Sequence, residues 1–101
     1  MERIEFIISE FQKCNIKLSQ DKADKLLKLY EFLVEYNKNV NLTAITDFEE
    51  VVVKHFIDSV LPFSMIDIKE NSSFIDVGTG AGFPSIPLMI VRPDLKGTLL
   101  E

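Results

Sequence analysis

The strongest constraint on how this chain can fold lies at positions 71–84, where a short apolar run passes directly into glycines. Ser73-Phe74-Ile75-Asp76-Val77 follows the polar turn residues Asn71 and Ser72 and precedes Gly78-Thr79-Gly80-Ala81-Gly82-Phe83. A nearly all-apolar run of this length, bounded by turn residues, has the pattern of a buried parallel strand. A helix is expected from near Pro84, because proline suits the first turn, where its missing N–H is not needed. Pro87 is still within the first four positions, whose N–H groups have no intrahelical acceptor. The helix should end before Arg92-Pro93-Asp94, and Thr98-Leu99-Leu100-Glu101 begins a second strand. Strand, glycine loop, helix and strand in this order define a β-α-β unit and an α/β fold.

The residues before it read as helical. Ile4, Ile7, Ile8 and Phe11 fall at i, i+3, i+4 and i+7, one apolar stripe of a short helix over 3–13. Asn15 breaks that pattern, and Ser19 is placed to cap a second helix. Ala23, Leu26, Leu27, Tyr30, Leu33, Val34 and Asn37 keep the helical period along it, while Lys22, Lys25 and Lys28 read as its solvated face. Residues 37–47, rich in Asn and Thr, form a connector. Asp47 and Glu50 have the spacing of a capping box. The helix they open should bury Val52, Val53, Phe56, Ile57 and Val60 and stop after Leu61, at Pro62. The expected organisation is a helical cap over 1–70 and the start of a ligand-binding α/β unit over 71–101.

Composition limits what such a chain can do. With 101 residues, 47% hydrophobic and 27% charged, it has room for one domain's core and no sign of disorder. No apolar run approaches the ~18 residues of a membrane span, and the acidic start Met1-Glu2-Arg3-Ile4-Glu5 is unlike a secretory signal. A lone Cys14 cannot make an internal disulfide, which suits a reducing compartment. Eleven basic against 16 acidic residues leave a net charge of −5, so the bulk field does not attract nucleic acid.

The ligand class is set by the acids around the glycine loop. A loop between strand and helix presents free N–H groups, and its glycines let a ligand approach the backbone closely. A dinucleotide fingerprint, G-x-G-x-x-G, would place its last glycine at position 83, which is Phe here. An acid two residues before the first glycine would repel a pyrophosphate. S-adenosylmethionine carries an ammonium and a sulfonium, and Asp76 can offset that charge directly or through water. Glu101, at the end of the second expected strand, stands where an acid accepts hydrogen bonds from ribose hydroxyls. Asp76, Gly78, Gly80, Gly82, Phe83 and Glu101 are therefore the candidate cofactor residues of a Rossmann-like class I methyltransferase. A tight turn merely capped by Asp76 is the plainer reading. Phe83 could pack helix on sheet, line the pocket, or do both.

Three stretches occur together: Asn41-Leu42-Thr43-Ala44-Ile45, Lys54-His55-Phe56-Ile57-Asp58-Ser59-Val60, and 76–88 with its Phe83-Pro84-Ser85-Ile86-Pro87 continuation. In this order they resemble the ribosomal RNA small subunit methyltransferase G family, also called glucose-inhibited division protein B. The resemblance covers nearly the whole chain. It implies a cytoplasmic S-adenosylmethionine-dependent enzyme that methylates N7 of a guanine in small-subunit (16S) rRNA or the 30S subunit. It also implies Gly78 and Phe83 as cofactor contacts, with Glu101 at the ribose position. Tyr36 stands where the family more often has Trp. Family members continue well beyond position 101, and two strands alone leave a parallel sheet uncovered. The chain therefore reads as a truncated N-terminal part, inactive alone. A monomer is expected, with no metal and no membrane contact.

His55 and Asp58, at i and i+3, are too few to form a metal site. Guanine N7 already offers a lone pair, so no base is required, and a structural role is expected for His55. Two alternatives belong to other classes: a non-catalytic helical interaction module, and a dinucleotide-binding oxidoreductase fragment.

Overall fold

The computed structural model describes residues 2–40, 47–77 and 85–100, with side chains except at 37–40, 77 and 100. Helix α1 (Arg3–Lys13) buries Ile7 and Phe11 on the expected stripe, with Ile4 and Ile8 packed at its margins. The break at Asn15 has a specific geometry. Asn15 is in the left-handed region at φ 61°, its N–H donates to the Gln12 carbonyl (2.9 Å), and Ile16 N–H donates to Phe11 (3.0 Å). This is a Schellman motif with Asn replacing the usual glycine, and the buried Ile16 closes it against the end of α1.

Helix α2 (Gln20–Val40) starts as its cap predicts, with Ser19 Oγ accepting the Lys22 N–H at 3.2 Å. Ala23, Leu26, Tyr30 and Leu33 are buried, and α2 continues past Asn37 to Val40. The rest of the expected connector, 41–46, lies outside the described residues. Lys25 and Lys28 are solvated and pair one turn back with Asp21 (3.5 Å) and Asp24 (3.1 Å). Lys22 is not on that face. Its Nζ donates to the Val91 carbonyl at 2.7 Å, 69 residues away in sequence. A cation there meets the negative end of a helix. Lys22→Met should therefore lower stability by up to ~1 kcal/mol, whereas Lys25→Met and Lys28→Met should change it by less, as read by thermal melts.

The third helical segment, 48–64, has three parts: α3 (Phe48–Glu50), a π-helical stretch (Val51–Ile57) and α4 (Asp58–Ser64). Asp47 Oδ1 caps it by accepting the Glu50 N–H at 3.1 Å. Phe48 meets Tyr30 edge-on with centroids 5.0 Å apart, and the Arg3 guanidinium lies 4.9 Å from its ring. The π turns correct the expected apolar face. The i→i+5 turn of a π-helix is wider than an α turn, which brings Val51 onto one face with Val52, Phe56 and Ile57. All four are buried, whereas Val53 is 39% exposed. Pro62 does not stop the helix after Leu61, because α4 runs to Ser64. The proline lies in the last turn, so its missing donor affects a single bond. Ser64 Oγ also donates to the Leu61 carbonyl at 2.7 Å.

Strands β1 (Ser73–Val77) and β2 (Lys96–Leu100) pair in parallel, joined through α5 (Ser85–Val91), as the β-α-β reading requires. β2 starts two residues before the expected Thr98. Glycine is a poor strand former, which obscured this start, but here it has a packing role. A Cβ on Gly97 would lie 2.6 Å from Phe74 Cζ and 3.0 Å from Met89 Sδ, so the Phe74 ring crosses the strand where a side chain would stand. β1 is not buried on both faces, since Ile75 is 67% exposed. Helix α5 packs between the sheet and the helices, and Val91 joins the apolar cluster formed by α1, α2 and the 48–64 segment.

A polar clamp holds the entrances to both strands. Arg92 Nε and Nη2 each donate to Asp94 at 2.9 Å, and Nη2 also reaches the Ile68 carbonyl at 3.3 Å. Asp94 Oδ2 accepts the N–H of Asn71 (2.9 Å), a left-handed residue at φ 63°, and Lys96 N–H donates to the Ser72 carbonyl at 2.9 Å. The Arg92 guanidinium, and secondarily the Asn71 N–H, hold the Asp94 carboxyl well below its ordinary value of 3.8. A depressed carboxyl adds stability above its unfolded value and loses it as the pH falls. The stability difference between wild type and Asp94→Asn, from urea titrations, should be full near pH 6 and shrink steadily below about pH 4.

Candidate functional site

The expected cofactor loop emerges from the carboxyl end of β1, the edge at which α/β sheets bind ligands. Gly78, Gly80, Gly82, Phe83 and Glu101 lie outside the described residues. Asp76 is described. It pairs with Leu99 in register and is half-buried one residue before the strand ends.

Its carboxylate is held in place. Ser85 Oγ, at the start of α5, donates a hydrogen bond to Asp76 Oδ2. Ser85 is only 1% exposed. A serine hydroxyl buried this deeply needs a partner, and the strand-end carboxylate provides one. Among the described residues, Asp76 Oδ1 makes no hydrogen bond. The two ends of α5 are thus tied to different layers, Ser85 to β1 and Val91 to Lys22 on α2. Sequence reading identified Asp76 but missed Ser85 and Lys22. The available signal was a hydroxyl residue opening a helix nine positions after the acid.

A cavity of about 220 Å³ runs beside this point, lined by Phe63, Ile68, Leu88, Leu95 and the consecutive residues 72–76, with Ser85. Successive strand residues face opposite ways. A cavity touching all of them and, among the described residues, none of β2 therefore follows the edge of β1 that β2 leaves open. It lies beside the strand, not beyond its carboxyl end.

His55 is half-buried in the π-helical stretch, and its carbonyl accepts the Ser59 hydroxyl. Asp58 is exposed at the start of α4. Among the described residues, no group of three or more His, Cys, Asp or Glu side chains is arranged to hold a metal ion. No described helix is long and apolar enough to cross a membrane.

The model of the GidB family, described as rRNA small subunit methyltransferase G, matches residues 22–101. The chain belongs to this family. Among GidB relatives, the ribosomal RNA small subunit methyltransferase G of Staphylococcus epidermidis is 45% identical over 98 residues, 97% of this chain and 41% of the relative. That of Thermoanaerobacter sp. strain X514 is 48% identical over 98 residues, with the same two coverages of 97% and 41%. That of Clostridium beijerinckii is 49% identical over 86 residues, 85% of this chain and 36% of the relative. The chain thus spans about two fifths of the length of the first of these curated GidB relatives. Membership of GidB, a family described as rRNA small subunit methyltransferase G, speaks against the oxidoreductase alternative.

Proposed function

We propose that this chain is the N-terminal part of a cytoplasmic, S-adenosylmethionine-dependent methyltransferase acting on N7 of a guanine in small-subunit (16S) rRNA, free or in the 30S subunit. In this reading, residues 1–70 form a helical cap and 71–101 begin a Rossmann-like cofactor domain, which is inactive without further strands. One observation carries the reading beyond family membership: the Asp76 carboxylate, pinned at the end of β1 by Ser85, with no hydrogen bond to its second oxygen among the described residues. An acceptor placed there fits a cofactor with a cationic amino-acid end.

Asp76 would balance the cofactor's positive charge, Gly78, Gly80 and Gly82 would admit it to the backbone, Phe83 would line the pocket, and Glu101 would hold the ribose. S-adenosylmethionine supplies a methyl group already activated by its sulfonium. Guanine N7 would attack the methyl carbon in line through its lone pair as the carbon–sulfur bond breaks and S-adenosylhomocysteine leaves, with no proton to be removed. The protein's contribution is therefore positioning and charge, and His55 retains a structural role. The protein would act as a monomer, without a metal.

The intact protein should transfer labelled methyl from S-adenosylmethionine to guanine N7 of purified small-subunit rRNA or 30S subunits. Glu101→Ala should weaken cofactor binding by about 1–3 kcal/mol through lost charge-assisted hydrogen bonds, as read by calorimetry. An unchanged dissociation constant would remove Glu101 from the site, and methyl placed on another atom would overturn the N7 assignment. Methylation by residues 1–101 alone would refute their inactivity.

A further inference from the structure

We infer that Ser85 is a positioning residue for the cofactor: its hydroxyl locks the Asp76 carboxylate in the orientation that presents Oδ1 to the ligand. The inference rests on the S-adenosylmethionine reading of the loop and adds a residue outside the glycine motif.

The geometry is specific. Asp76 lies on β1 and Ser85 opens α5, so their hydrogen bond spans the loop between them, joining the two elements that flank the ligand. A carboxylate at a strand end can turn about χ1 and χ2, and each alternative rotamer would move its second oxygen, Oδ1. The bond from Ser85 occupies Oδ2 and removes that freedom before any ligand arrives. Preorganising a charged acceptor reduces the entropy lost on binding. Ser85 does not have to touch the cofactor for this effect. Being 1% exposed, it is buried as deeply as the core residues. The far end of α5 is fixed by Lys22 through Val91, so the serine is carried on a helix anchored at both ends.

The test compares Ser85→Ala in the wild-type and Asp76→Asn backgrounds of the intact protein, with S-adenosylmethionine affinity read by calorimetry and folding by thermal melts. In the wild-type background, Ser85→Ala should raise the dissociation constant roughly 10–100-fold, the scale of one hydrogen bond to a charged group. In the Asp76→Asn background the same change should raise it less than about two-fold, because the carboxylate it orients is gone. A crystal structure of the Ser85→Ala protein without ligand should show the Asp76 carboxylate turned from its present position, a readout independent of binding. Unchanged affinity, an equal loss in both backgrounds, or a carboxylate left in place would each overturn the inference. If wild type itself fails to bind S-adenosylmethionine, the cofactor reading falls and the inference falls with it. If wild type binds and Ser85→Ala binds equally well, only the inference is lost.

Discussion

Phe56→Ala is expected to destabilise the protein by about 3–5 kcal/mol, which would remove a fifth or more of the roughly 5–15 kcal/mol that holds a typical domain folded. Phe56 is fully buried in the cluster where α1, α2 and the 48–64 helix converge, so truncation leaves a cavity that a close-packed core fills only in part. The measurement is a urea titration, and a loss under about 1 kcal/mol would contradict the packing. Two valines sharpen the test. In a regular α-helix with the spacing read from sequence, Val53 would be buried. In the π-helical stretch Val51 is buried and Val53 is half out in solvent. Val51→Ala should therefore be clearly destabilising and Val53→Ala close to neutral. The reverse order would show a regular α-helix through Val51–Ile57.

Gly78→Val should abolish S-adenosylmethionine binding by the intact protein. β1 ends at Val77, directly before this glycine, and Asp76 is fixed by its pairing in the sheet and by Ser85. A β-branched side chain at the first glycine puts methyl groups where the ligand must meet the backbone. Calorimetry should detect no binding, while the thermal midpoint stays near that of wild type. Wild-type affinity would mean that the cofactor does not sit against this loop.

Asp76→Asn, used above as a background, forms a graded companion to that variant. It keeps the shape of the side chain and removes its charge, so it should weaken binding without eliminating it. Complete loss from Gly78→Val and partial loss from Asp76→Asn together would separate space from charge at the site.

The parts of this protein legible in its sequence are those governed by local rules. The stripe of α1, the Ser19 and Asp47 caps, and the span of β1 follow from periodicity, short-range hydrogen bonds and turn residues, all within a few positions of one another. The acid near the end of β1 follows from the same strand reading, and family membership supports the methyltransferase chemistry proposed for the glycines after it.

Tertiary structure alone decided the rest. The helix 48–64 takes π turns that place Val51 in the core, because burial against α1 and α2 outweighs the ordinary helical register. Lys22 leaves the solvated face of α2 because a helix C-terminus distant in sequence lies within its reach. Gly97 belongs to a strand because the Phe74 ring needs its missing side chain's space. The bond from Ser85 to Asp76 forms only once α5 has folded back against β1. Each joins groups that become neighbours only through the path of the chain in space, and local propensity carries no information about that path.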